Sequence, residues 1–275
     1  MIEIKDLAFS YGQFQVLTQI NLDLKEGCIY GLLGENGVGK TTLLTLLAGL
    51  KKPTNGSINV DGMAPFDRKP SFLSNIYYLS DEVPAMRMTA TVYAQNYGQF
   101  WEKFSMDKFN EIMKIFDTNP DMRMDQMSYG QLKKAFISFA LATSTRYLFM
   151  DEPTNGLDIP SKAQFRKAIT KYTSDDSTLL ISTHQARDLE AIIDPIIILD
   201  RRDVLLNATV QEISQKLYFD YSSDVQSDAL YSEMIPGGCI QVVENKDSLE
   251  SKVNIEALFN TTLNNKERIK NMFKN

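Results

Sequence analysis

A chain of 275 residues with 43% hydrophobic and 23% charged side chains can bury a sizeable core, as one large domain or two unequal ones. No apolar run reaches the roughly 20 residues that cross a bilayer, and the opening MIEIKDLAFSYG alternates with charges, so neither a membrane-spanning nor a signal-bearing chain is expected. The net charge of -6 speaks against a broad nucleic-acid surface, while two distant cysteines (Cys28, Cys239) and a single histidine leave few zinc ligands and point to a reducing cytoplasm.

In chain order, Ile2, Ile4 and Leu7, then Ile20, Leu22 and Leu24, fall on alternating positions and predict two short strands. CIYGLL follows as a continuous apolar run, then a glycine-rich loop, then TTLLTLLAGL with helical length and composition. From about 84 to 145 helical patterns dominate, including MDKFNEIMKIF and QLKKAFISFALAT. YLFM and TLLIST then return as buried strands around a helix-like stretch, so a helical insert divides an α/β core. After about Gln215 the pattern predicts strands at KLYFDY and CIQVVE and helices near NIEALFN and the basic C-terminus, a small appended region.

The loop GENGVGKT satisfies G-x-x-x-x-G-K-[ST] between a predicted strand and a predicted helix. Gly34, Gly37 and Gly39, with Glu35, Asn36 and Val38 between them, let the backbone wrap so that its N–H groups and the helix's positive end face an anion. Lys40 brings charge to the outer phosphates and counts among the catalytic residues; Thr41 offers a hydroxyl to Mg²⁺, and Thr42 continues the phosphate-binding turn. In YLFMDEP, two carboxylates end a buried strand, where open α/β sheets place ligands. Successive residues diverge, so Asp151 is assigned to the metal and Glu152 to the general base, although an acidic helix start after Pro153 would explain them structurally. In MSYGQLKKAFISFA, Ser128 and Gln131 form a capping box, and a capped helix start carrying Gly130 is also an anion site. His184, the lone histidine, ends the run ISTHQ, where a turn-capping or core role is the ordinary expectation.

Together these motifs resemble the nucleotide-binding subunit of ATP-binding cassette (ABC) transporters over roughly residues 1–215. The resemblance implies an α/β fold: a P-loop NTPase core with an antiparallel β subdomain, a helical subdomain at about 84–145, and a small C-terminal α+β appendage at 216–275. It makes Gly34 to Thr41 the Walker A loop and Asp151 with Glu152 the Walker B carboxylates. MSYGQ then looks like the signature and NGLD the D-loop, with Asp158 an interface residue, although Asn155-Gly156 also reads as a simple turn. It implies that His184 is the switch histidine touching the γ-phosphate and that Tyr11 stacks on adenine.

Two positions depart from that pattern. Tyr129 replaces the first of two central signature glycines, and Asp81, in IYYLSDEVP, stands where a glutamine is usual. An aspartate there can still ligate Mg²⁺, alongside Thr41 and Asp151, but adds negative charge beside the phosphates. The resemblance implies an ATPase working with ATP and Mg²⁺. It implies a head-to-tail homodimer in which one subunit's Walker A loop faces the other's Ser128 to Gln131 segment. It also implies docking on a separate membrane permease, hence a place on the cytoplasmic face of the membrane. The helical insert is the expected docking side; Phe100 and Trp101 near its start read either as exposed contacts there or, as aromatics in a helical pattern more often are, as core. The appended region is similar to the tails of two-component exporters. A non-transport ABC ATPase would need a long coiled coil, a fused second cassette or a basic patch, none of which is present in the sequence. A poorly hydrolysing regulatory subunit is favoured only by Asp81 and Tyr129.

Overall fold

The alternating pattern of the first two dozen residues folds as two long antiparallel strands, β1 (Ile2–Tyr11) and β2 (Phe14–Leu24), paired with Ile2 opposite Leu24 and Leu7 opposite Ile20. The computed structural model describes residues 1–200 and 203–274. Next come β3 (Ile29–Leu33), α1 (Lys40–Leu47), β4 (Asn55–Val60), α2 (Pro70–Leu73) and β5 (Ile76–Leu79). The insert holds α3 (Ala90–Gly98), α4 (Met106–Ile115) and α5 (Tyr129–Ala142). The core resumes with β6 (Tyr147–Asp151), α6 (Ile159–Tyr172), β7 (Thr178–Thr183), β8 (Ile196–Asp200) and β9 (Asp203–Ala208). The chain closes with α7 (Val210–Lys216), β10 (Leu217–Ser222), β11 (Tyr231–Ile235), β12 (Gly238–Glu244), α8 (Ile255–Asn264) and α9 (Lys266–Phe273).

The central sheet runs β5-β6-β7-β3-β8-β9, parallel except for β9. Its register sets Leu33 beside Thr183 and Asp151 beside Ser182, so the carboxyl ends of β3, β6 and β7 come level at one edge. That is the crevice where such sheets hold ligands. One face packs with α1 against the separate sheet β2-β1-β4, sharing a core of Ile4, Leu22, Leu43, Leu47 and Phe149. The other face meets the helical insert and α6.

Within the insert, Thr89, Ser105 and Ser128 accept backbone N–H bonds at the starts of α3, α4 and α5. Each such cap is worth about 1 kcal/mol. The first helix begins at Ala90, so the stretch from 84 to 89 lies outside it. Trp101 belongs to the core, stacked edge-on to Tyr77 and Phe139 with its indole N–H on the Ile76 carbonyl at 2.8 Å, whereas Phe100 is 63% exposed.

The appended region is an antiparallel sheet, β10-β12-β11, covered by α8, with α9 packed on α8 and on β9 of the central sheet. The expected boundary at Gln215 falls inside α7, and Leu217, Val242, Leu258 and Ile269 join the same apolar cluster as Phe165, Leu179 and Ile196 of the cassette core. Five strands and two short helices carry no element in the sequence reading: β4, β5, β8, β9, β11, α2 and α7. Among the described residues no helix is long and apolar enough to cross a membrane.

Candidate ATP site

The loop between β3 and α1 turns on Gly39, whose φ of 112° favours glycine and whose added Cβ would lie 2.8 Å from Leu17. Lys40, 6% exposed, curls back to donate to the carbonyls of Gly34 (2.7 Å) and Glu35 (3.2 Å) and lies 3.9 Å from the Glu152 carboxylate. Burial pushes its ammonium below the ordinary value, against the pull of Glu152 and Asp151. An ammonium so placed is desolvated and aimed across the loop, ready to exchange carbonyls for an anion.

Thr41 donates to Asp151 Oδ2 at 2.6 Å, and Ser182 donates to Asp151 Oδ1 at 2.5 Å. The Tyr78 hydroxyl points at Oδ2 from 3.5 Å; burial and Asp151 hold its pKa well above the ordinary phenol value, so it stays a proton donor. Magnesium fits the chemistry of this donor set, a hydroxyl and a carboxylate, hard oxygens side by side. Among the described residues no three His, Cys, Asp or Glu side chains are grouped to hold a metal unaided.

Glu152 takes a positive φ of 44°, which is rare for a non-glycine residue, and its carboxylate has partners different from those of Asp151. Its Oε1 lies 2.9 Å from His184 Nδ1, and its Oε2 accepts the His184 backbone N–H at 3.3 Å. Its own N–H donates to Ser182 Oγ at 3.1 Å. His184 is thus neither a core residue nor a turn cap; it pairs with the carboxylate that the sequence assigns to base catalysis. Tyr11, 47% exposed, places its hydroxyl 3.3 Å from Thr42 Oγ1, with Lys51 5.0 Å above the ring.

Lys40, Thr41, Asp151, Glu152 and His184 therefore converge. The predicted signature does not join them: among the described residues no hydrogen bond or ion pair links Ser128, Gly130 or Gln131 to these five. Ser128 and Gln131 complete their capping box, with Gln131 N–H on Ser128 Oγ at 3.2 Å and Ser128 N–H on Gln131 Oε1 at 2.9 Å. Asp158 caps α6, accepting the Ser161 N–H at 2.9 Å, and bonds from Ser161 hold its carboxyl below the usual range.

Asp81 differs most from expectation. Its carboxylate is taken by Lys133 Nζ (3.2 Å) and Asn155 Nδ2 (3.3 and 3.4 Å), so it is not a bare third charge beside the phosphates, and its expected place in the metal shell gains no support from this geometry. Sequence reasoning missed Ser182 and Lys133. Both carried a signal: Ser182 is the hydroxyl that directly follows the apolar run Leu179 to Ile181 in a buried strand, and Lys133 shares a helix stripe with Ile137.

A cavity of about 670 Å³ opens between Leu33 to Asn36, Thr183 to Asp188, and Glu256, Phe259 and Asn260 of α8. Arg187 pairs with Glu256, and Lys252 with Glu190 at 2.9 Å, so the appended region walls the segment that follows His184.

Comparison with known proteins places this geometry. The family described as ABC transporter matches residues 17–155. The chain is 29% identical to the bacitracin transport ATP-binding protein BcrA of Bacillus licheniformis, over 84% of this chain and 77% of that one. It is 24% identical to the ABC transporter ATP-binding protein YtrB of Bacillus subtilis, over 98% of this chain and all of that one. Its fold matches a dimeric ATP-binding cassette in a post-hydrolysis state bound to ADP and Pi, with a TM-score of 0.66 and 23% identity, over 76% of this chain and 98% of that one. With half the chain matched by the family and the phosphate loop, paired carboxylates and histidine brought to one sheet edge, this protein belongs to the ABC transporter family as an ATP-binding cassette.

Proposed function

We propose that this ATPase cassette hydrolyses ATP between two copies arranged head to tail and passes the resulting closure and opening to a separate membrane permease. The observation that carries this reading is the division of the site. Phosphate-binding and base groups sit together, while the start of α5 lies apart from them, its capping box using the Ser128 and Gln131 N–H groups and leaving those of Tyr129 and Gly130 to a nucleotide held by another subunit.

In that arrangement Lys40 and the loop from Gly34 to Thr42 hold the phosphates, and Tyr11 stacks on adenine. Glu152 takes the proton of the attacking water, and the His184 imidazole, held by the same carboxylate, donates to the γ-phosphate as charge develops there. Thr41 and Asp151 would hold Mg²⁺, which when bound spreads the phosphate charge. Asp158 lines the face between subunits.

The permease is proposed to seat in an apolar groove of about 610 Å³ bordered by Leu50, Leu73, Tyr77, Tyr78, Phe100 and Trp101. Leu50 and Phe100 are 51% and 63% exposed on it, and Tyr78 reaches from it to Asp151. Such docking would keep the cassette on the cytoplasmic face of the membrane. The arrangement is tested by mixing a Lys40→Ala subunit with a Ser128→Arg subunit, each inactive alone. One composite site with both halves intact should recover ATPase activity, and a mixture that stays silent would refute the head-to-tail pairing.

A further inference from the structure

The two positions at which the sequence departs from the family pattern touch each other. The Tyr129 hydroxyl donates to the Asp81 carbonyl at 3.0 Å, and Lys133 Nζ donates to the same carbonyl at 2.5 Å. Tyr129 and Lys133 stand one turn apart on one face of α5, immediately after its capping residue Ser128. Asn155, four residues beyond Asp151, closes the cluster on the Asp81 carboxylate, and the Tyr129 ring packs so closely on Gly156 that a Cβ there would lie 2.6 Å from it. Asp81 thus ties three segments: the end of β5, the first turn of α5, and the loop after β6.

Lys133 is fully buried, and its three donors meet Ser80 O (3.5 Å), Asp81 O and Asp81 Oδ1. Burial lowers the pKa of its ammonium, while Asp81, Asp151 and Glu152 raise it. Only the ammonium of this pair is buried, the Asp81 side chain being 36% exposed; such pairs contribute little net stability, and their best-attested use is to fix one register between packed elements. The register fixed here is that of the α5 start against the end of the central sheet.

We infer that Lys133, Asp81 and Tyr129 form a positioning cluster for the signature turn, so that Asp81 serves the nucleotide bound by the partner subunit and not the metal beside its own Walker A loop. This rests on the head-to-tail reading above, because only there do Ser128 to Gln131 act on the other subunit's ATP. A turn displaced by about 1 Å misaims its N–H groups, and misplacement of that size costs on the order of 100-fold in rate.

The test uses full-length subunits carrying two different affinity tags, so that mixed dimers can be isolated. Lys40→Ala paired with unmodified protein gives the one-site reference rate. In a first mixed dimer, Lys40→Ala is paired with Lys133→Met; the surviving site then takes its signature from the chain with intact Lys133, and the rate should match the reference. In a second, Lys40→Ala and Lys133→Met share one chain opposite an unmodified one; the surviving site then takes its signature from the altered chain, and the rate should fall by roughly 10- to 100-fold. Asp81→Asn in place of Lys133→Met should reproduce the pattern, which guards against failure of a buried substitution to fold, and Lys133→Arg should restore part of the rate. A loss that follows the altered chain's own Walker A loop, or equal losses in both dimers, would overturn the inference. Recovery in the Lys40→Ala with Ser128→Arg mixture reports separately on the pairing itself.

Discussion

Replacing Glu152 by glutamine separates base catalysis from nucleotide binding. Glu152 is 12% exposed at its side chain and holds His184 twice, through Nδ1 at 2.9 Å and the backbone N–H at 3.3 Å. Glutamine keeps the length and one oxygen acceptor, so one of these bonds persists and the change in stability stays below about 1 kcal/mol, a melting shift within about 4 °C for a domain this size. What is lost is the carboxylate proposed to accept the water's proton. General-base removal costs about 10²- to 10⁴-fold, which is about 2.7 to 5.4 kcal/mol of barrier. Phosphate release under steady state should therefore fall by at least two orders of magnitude, while ATP affinity by calorimetry changes little and size-exclusion chromatography with ATP shows an accumulated dimer. A variant that melts normally and turns over within threefold of the parent would show that Glu152 is not the base.

His184→Ala should lower turnover by about 10²- to 10³-fold, the usual loss of a donor aimed at developing charge, with little effect on the melting of a protein whose His184 side chain is already 36% exposed; a large melting loss with turnover retained in the folded fraction would make the residue structural instead. Ser182→Ala should cost about 1 to 3 kcal/mol, because it strips a bond from Asp151 Oδ1 and another from the Glu152 N–H at a fully buried position. It should also raise the Mg²⁺ concentration for half-maximal turnover. An unchanged melting temperature together with an unchanged Mg²⁺ titration would sink that role.

Most of the nucleotide-facing half was legible because its chemistry is local. The strand TLLIST folds over the residues that its apolar run marks, Thr178–Thr183, and CIYGLL and YLFM likewise end where the loop and the carboxylates begin. The strands that escaped notice are those whose pattern has a second explanation. Ile196–Asp200 is a short apolar run without alternation because both its faces are covered, and Ile76–Leu79 mixes two tyrosines with aliphatic residues. The Asp81 environment was illegible for a different reason. Lys133 lies 52 residues away, and only the folded insert brings an ammonium onto a loop that composition alone marks as acidic. The appended region showed its strands and helices but not its attachment, since the residues of Leu217, Val242 and Leu258 look the same whether they fill a private core or a shared one.

That shared core packs the segment around His184 and the C-terminal fold as one unit. The α8 helix walls the segment after His184, α9 is strapped to β9 by Lys270 and Asp203, and the apolar cluster runs without a break from the insert to Ile269. Local opening of the last sixty residues would remove one wall from the cavity shared by the histidine's segment and Gly34 to Asn36, while α1, which carries Lys40 and Thr41, keeps its separate core around Leu43 and Leu47. Amide protection of the strand that ends in Thr183 is thereby expected to follow that of α8, and His184, in its proposed role, would inherit its rigidity from a part of the chain that holds no nucleotide-binding motif.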